Sequence, residues 1–303
     1  MDQSGKHGLR FGVLYGIAAY GSWGVFPLYF KTVASVPAVE VLAHRAIWSF
    51  VMLAVLVGLL GRWKEVWREL HSRKLLLMLA LSTLFIAANW LMFIYAVTSG
   101  QVLQASLGYF VNPLVNVLLG VLLLRERLRP RQILSIGLAL IGVLVLTALV
   151  GNVPWVALTL ALTFSFYALM RKLMPVDGFV SLTVETLLMV PVALAYLGYL
   201  AATSRHEPLR FSTAGLLMLS GPVTTVPLLF FGAAARRLRL STMGFLQFLS
   251  PTLQFLLAVL AFREPFSSIQ LLSFACIWVA VLIYASDSWS AAREYRVEVL
   301  EPD

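Results

Sequence analysis

The sequence predicts an all-α membrane protein, ten transmembrane helices arranged as two inverted five-helix repeats. Three observations carry that prediction: an apolar composition, long runs without charge, and an ungapped internal repeat. Of 303 residues, 60% are hydrophobic and 12% charged, with a mean hydropathy of +0.87. Soluble domains carry roughly 25% charged residues, and a water-soluble fold of this length has too little interior to hide so much apolar surface. The solvent it requires is lipid.

The charge-free runs set the number of spans. Residues 75–124 and 132–170 contain no Asp, Glu, Lys or Arg. One helix across a hydrocarbon core needs roughly 20 residues, so each run holds two helices. The breaks fall at Ser99-Gly100-Gln101 and at Gly151-Asn152-Val153-Pro154. The full reading is ten spans: 10–30, 39–61, 75–98, 102–124, 132–150, 154–171, 179–200, 212–234, 240–262 and 268–287. The apolar stretch Phe11–Phe30 is longer than a signal-peptide core and lacks a small-residue cleavage site, so it is read as the first span.

Basic residues give the orientation. With the N-terminus in the cytoplasm, 18 of the 23 Lys and Arg fall on inside segments. Only Lys31, Arg205, Arg210 and Arg263 fall outside, and Arg45 lies within a span. Both termini are therefore expected in the cytoplasm, the tail being 288–303. The net charge of +9 resides in these short clusters, so no nucleic-acid partner is expected.

The repeat appears at an offset of 138. Asn112-Pro113 falls on Ser250-Pro251, Arg125-Glu126 on Arg263-Glu264, and Gln132 on Gln270. Residues 102–145 and 240–283 share 13 identities in 44 positions. The repeats are taken as 10–150 and 152–287. Five spans is an odd number, so the second copy enters the bilayer upside down, a recurring plan of secondary transporters.

Polar groups in lipid are expensive and face the bundle interior or a wet cavity. In the fourth span Ser106, Tyr109, Pro113, Asn116 and Gly120 share one face. Their counterparts in the ninth are Gly244, Gln247, Pro251, Gln254 and Ala258. Small residues there permit close helix approach, and each proline frees a carbonyl. Asn89, Trp90 and Phe93 in the third span, Asn112 in the fourth, and Thr225 and Pro227 in the eighth complete a candidate substrate cavity lined with aromatics and amides. Packing alone explains the same stripes.

The intramembrane ionisable set is Glu40, His44 and Arg45 in the second span and Glu185 in the seventh. Helices running in opposite senses, at about 1.5 Å per residue, place Arg45 and Glu185 roughly 10 Å apart in depth, which predicts two separate polar sites. Glu40, His44 or Glu185 are candidates for carrying a coupling proton, interfacial anchoring being the plainer alternative. Neither a nucleophile–base pair nor an HExxH spacing occurs, and the lone Cys276 gives no metal-ligand pattern, so neither catalysis nor a cofactor is expected. Without a GxxxxGK[ST] loop, energy has to come from a proton or solute gradient.

At these residues the chain resembles the RarD family of EamA-type permeases, in the drug/metabolite transporter superfamily. The matching stretches are EVLAHRAIWSF (40–50), NWLMFIYAV (89–97), ASLGYFVNPLVNVLLG (105–120), VTTVPLL (223–229) and LRLSTMGFLQFLSPTLQFLLAV (238–259). The resemblance implies the ten-helix inverted-repeat fold in a bacterial inner membrane, a central cavity, and export of small metabolites or drug-like compounds. The family pattern often carries Glu before ASLGYF, where this chain has Gln104; that departure removes one proton carrier. A channel or a non-transporting scaffold is the alternative to a permease.

Overall fold

Each charge-free run forms a helix because lipid offers no partner for an open N–H or C=O, so the backbone must satisfy itself within the segment. The computed structural model describes residues 3–125, 128–150, 153–203, 211–238, 242–243 and 246–300. Glu126, Gly151, Asn152, Arg205, Arg210 and Gly244 from the sequence reading lie outside the described residues. The helices are α1 (Gln3–Thr32), α2 (Ala38–Leu59), α3 (Trp63–His71), α4 (Arg73–Thr98), α5 (Val102–Leu124) and α6 (Pro130–Val150). They continue as α7 (Trp155–Leu173), α8 (Gly178–Ala202), α9 (Phe211–Met218), α10 (Ser220–Ala235), α11 (Leu249–Leu256) and α12 (Ser268–Leu300). Among the described residues nine helical segments are long and apolar enough to cross a membrane, and Leu249–Ala261 is a shorter apolar one. The all-helical membrane fold expected from the sequence is the fold observed.

Four differences from the expected boundaries have physical causes. The segment 62–74, read as an inside loop, contains α3. Val66 and Glu69 face inward three residues apart while Trp67 is exposed, so the charge run is one face of an amphipathic turn pair. The eighth span breaks at Leu219, because Pro222 has no N–H to return to the Met218 carbonyl. The ninth is interrupted by a turn at Gln247-Phe248, since Pro251 leaves the Gln247 carbonyl without its donor, and it ends as a π-turn over Leu257–Ala261. The last helix runs on to Leu300, beyond the stretch Ser268–Asp287 that is apolar enough to cross a membrane, so the segment expected as a tail begins as helix.

Arg125 and Arg263 both adopt the left-handed conformation, with φ of 55° and 53°. They stand 138 residues apart and each closes one of the paired helices, so the internal repeat extends to a backbone detail that costs a non-glycine residue roughly 1–2 kcal/mol.

The packing places the polar stripes inside. The main helix pairs are α1 with α10, α4 with α7, α5 with α7, α1 with α11, α2 with α8, α2 with α10, α4 with α8, α5 with α11, and α6 with α12. A core of Phe26, Phe30, Phe93, Phe110 and Phe274 fills the middle of the bundle. Its rings meet edge to face, as at Phe30–Phe93 (5.8 Å) and Phe110–Phe274 (6.5 Å).

Candidate functional site

Arg45 and Glu185, both buried within the spans, centre separate polar groups. The first centres on Arg45 of α2, which is 4% exposed. Its guanidinium lies 4.0 Å from the Trp90 ring of α4 and 5.4 and 5.9 Å from Phe30 and Phe26 of α1. Its Nε donates to Thr224 Oγ1 of α10 at 3.0 Å. Burying a cation costs several kcal/mol even after relaxation. Stacking on aromatic rings returns about 2 kcal/mol when desolvated, and a hydrogen bond from a charged group about 1.5–3 kcal/mol. Those partners do not use the whole fork: Nη1 is buried with no hydrogen-bond partner among the described residues. Thr225 Oγ1, on the next residue of α10, is in the same condition.

Beside this cation, Tyr109 donates its hydroxyl to Asn89 Oδ1 (3.3 Å), and Asn89 Nδ2 donates to Leu160 O and Thr163 Oγ1 of α7, both at 3.1 Å. Phe93 packs on Tyr109 with ring centres 5.9 Å apart. One turn along α5, Asn112 Nδ2 donates to Ala161 O (3.1 Å) and Ser165 Oγ (2.9 Å), while Asn116 donates to Asn112 Oδ1 at 3.2 Å. Asn112 is buried and Asn116 exposed.

On the other side of α5, Ser106 Oγ donates to Pro251 O at 2.8 Å. Ser250 Oγ reaches Tyr20 O at 2.6 Å, and Gln254 Nε2 reaches Trp23 O at 3.2 Å. Pro27 explains the last contact: it cannot donate to Trp23 O, and the ninth-span amide takes the freed carbonyl. Pro113, Gly120 and Pro227 are buried at helix contacts, and Gln247 is half-buried at the start of the ninth span. Residues expected along one wall thus divide among an α4–α5–α7 group, an α1–α11 group and the cation between α1, α2, α4 and α10.

The second group surrounds Glu185 of α8, which is fully buried. It accepts from Ser82 Oγ of α4 (2.6 Å) and Tyr167 Oη of α7 (3.3 Å), and Arg171 Nη1 stands 3.9 Å away. Among the described residues the partners of Arg45 and of Glu185 are different ones. Glu40 is buried and His44 half-buried on α2. At the neighbouring end of the bundle, Asp177 caps α8 by accepting from Phe179 N (3.0 Å) and Val180 N (3.2 Å), and it pairs with Arg62 at 3.3 Å. Glu264, after the ninth span, caps α5 through Val102 N and Leu103 N, both at 2.8 Å; a carboxylate belongs at that positive helix end.

Ser82, Tyr167 and Glu69 escaped the sequence reading. Ser82 was findable, since it extends the Asn89–Phe93 stripe back at helical steps (82, 86, 89, 93), every one of which is buried. Glu69 carried a weaker signal, an acid three residues from Val66 on the inner face of α3. Burial pushes the Glu69 carboxyl up to about 7, against the pull of Arg171 and Arg68. The folded protein therefore holds that proton more tightly than the unfolded chain. Its stability falls as pH rises from the ordinary carboxylate range through about 7. We expect Glu69→Gln to raise the apparent Tm by about 2–4 °C at pH 8 and to leave it unchanged at pH 4.5. Differential scanning fluorimetry in detergent at the two pH values checks this; a shift of equal size at both is the opposing result.

Comparison with known proteins agrees with this architecture. Residues 10–148 match the EamA-like transporter family. An uncharacterized transporter of Pseudomonas aeruginosa is 48% identical over 290 residues, covering 94% of this chain and 96% of that protein. Protein RarD of Escherichia coli is 46% identical over 281 residues, covering 92% and 95%. The chloramphenicol-sensitive protein RarD of Pseudomonas aeruginosa is 35% identical over 293 residues, covering 94% and 96%. A solved crystal structure superposes with a TM-score of 0.59 at 19% identity, covering 90% of this chain and 96% of that one; it carries the likeness of fold alone.

Proposed function

Because this chain belongs to the RarD family of EamA-type permeases, we propose that it is a secondary transporter that exports a small organic solute by alternating access. The carrying observation is the pattern of helix contacts. Number the spans one to ten, so that α4 is the third, α5 the fourth, α6 the fifth and α7 the sixth. Then α8 is the seventh, α10 belongs to the eighth, α11 to the ninth, and α12 is the tenth. Exchanging each span with the one five places away turns α1–α10 into α7–α4, α5–α7 into α11–α1, and α4–α8 into α10–α2; all six pairs exist. The pairs α2–α8, α5–α11 and α6–α12 map onto themselves. Packing that survives this exchange supports two equivalent halves, 10–150 and 152–287, threaded in opposite senses. In such a molecule the contacts closing one face have equivalents able to close the other, so two states of similar energy follow from one sequence.

Both termini lie in the cytoplasm in this reading, and Glu40, His44 and Glu185 are its candidates for proton coupling. The solute enters between α1, α2, α4, α5 and α10, where Arg45, Trp90, Asn89 and Tyr109 stand. The test begins with metabolite profiling of medium from cells lacking or overproducing the protein. Solutes that differ are then measured in proteoliposomes. Saturable uptake with counterflow, in which unlabelled solute inside drives labelled solute in, is expected. Flux linear in concentration without counterflow points to a channel, and no flux with any solute points to a scaffold.

A further inference from the structure

We propose that Arg45 receives an anionic oxygen of the carried solute, and that the solute is a small organic carboxylate with a flat apolar body. The inference rests on the transporter reading above and names the chemistry of its site. Four observations lead to it. Arg45 is a buried cation whose Nη1 has no hydrogen-bond partner among the described residues. The partners it does have are neutral: the Thr224 hydroxyl and the rings of Trp90, Phe30 and Phe26. The guanidinium lies over the indole at 4.0 Å, a contact that uses none of its N–H groups and so leaves them for an acceptor, which a carboxylate matches with two oxygens. Finally, the rings packed about the guanidinium and against one another, Phe26, Phe30 and Phe93, suit an aryl or similarly flat body rather than a sugar or a polyamine.

A buried donor without an acceptor is costly, so a spare N–H on a buried cation calls for an acceptor. An ionisable group held within a membrane, paired by dipoles and rings but with a spare donor, is poised for a charge that arrives with the solute. The choice of an anion over a neutral carbonyl follows from sign. In a low-dielectric site a fixed positive charge discriminates by charge first and by shape second. The same pairing gives the exporter a driving force. An anion leaving a cell whose interior is negative moves with the field, and 59 mV corresponds to a tenfold ratio for one charge, so about 100 mV sustains roughly a 50-fold gradient without a co-ion.

The test uses the full-length protein in lipid nanodiscs and three probes of one shape: phenylacetate, phenylacetamide and phenethylamine. Binding is read by calorimetry and by ligand-induced thermal stabilisation. Phenylacetate is expected to bind at least tenfold more tightly than the amide, with the amine weakest. Arg45→Gln should reduce the preference for phenylacetate over the amide to about onefold, and Arg45→Lys, which keeps the charge but not the fork, should retain part of it. If Arg45→Gln does not fold, Arg45→Lys and the wild-type probe series still decide. Equal affinities in the wild type, no binding of any probe, or an undiminished preference in both variants overturns the assignment. Selective binding of phenylacetate without counterflow in proteoliposomes sinks the transporter reading and leaves the anion site standing. Counterflow of neutral solutes with no preference for carboxylates does the reverse.

Discussion

Gly108→Val is expected to produce a chain that inserts but melts roughly 6–12 °C lower, by about 3 kcal/mol at 2–4 °C per kcal/mol, and that transports nothing. A Cβ on Gly108 would sit 2.6 Å from the Ala157 carbonyl oxygen and 3.1 Å from its Cα. These are backbone atoms of α7, so no rotamer change relieves the clash and α5 has to move away. That displacement is the source of the functional loss, because Tyr109, Asn112 and Asn116 all follow Gly108 on α5. The bonds from Asn112 to Ala161 O and Ser165 Oγ lie at 3.1 and 2.9 Å and do not tolerate a shift of an ångström. Gly221 occupies the equivalent situation between α10 and α2, where a Cβ would meet Trp48 O at 2.5 Å, three residues from Thr224 and its bond to Arg45. Gly137→Ala is the control. Nothing lies within 4 Å of a Cβ there, and removing a helical glycine gains up to about 1 kcal/mol. A melting temperature for Gly108→Val within two degrees of wild type would show that α5 and α7 are not in the contact described.

The history of Gly108 also shows what the sequence yields and what it withholds. Spans were legible because lipid imposes length and apolarity on every one of them, so counting charge-free residues suffices. Faces were legible too: the Ser106–Gly120 stripe lies along α5 as helical spacing requires. What a stripe cannot say is which neighbour it meets. Gly108, two residues from Ser106, faces α7, whereas Ser106 faces Pro251 of α11. Arg45 and Trp90 were both singled out, but as parts of different sites; that one stacks on the other at 4.0 Å is a fact about α2 crossing α4. Depth along a helix axis can be reckoned from rise per residue, and that reckoning did separate Arg45 from Glu185. The helix α3 was missed for the opposite reason. Its charges were read as an inside loop, while the fully buried residues of its inner face are Val66 and Glu69, too short a pattern to separate from chance.

Replacing Glu185 should divide stability from coupling. Glu185→Leu removes the acceptor of Ser82 and Tyr167 and leaves Arg171 facing an apolar side chain. Removing one partner of a buried pair costs about 3–5 kcal/mol, so most of the protein is expected to be lost to aggregation or proteolysis. Glu185→Gln is gentler. Its amide oxygen still accepts from Ser82, and Arg171, 19% exposed at the side chain, can extend its stem toward the interface and keep its head solvated. We expect a folded protein with counterflow at near wild-type rates. If Glu185 carries the coupling proton, uptake driven by a pH gradient disappears in Glu185→Gln while counterflow persists, because exchange of solute for solute needs no net proton movement. If Glu185 only ties α8 to α4 and α7, the melting temperature drops and both fluxes fall together. The paired variant Glu40→Gln with His44→Asn separates the remaining candidates: a carrier that still responds to an imposed pH gradient after both sites are neutralised takes its proton on another group, whereas a wild type that never responds leaves the charge of the solute at Arg45 as the term that drives it.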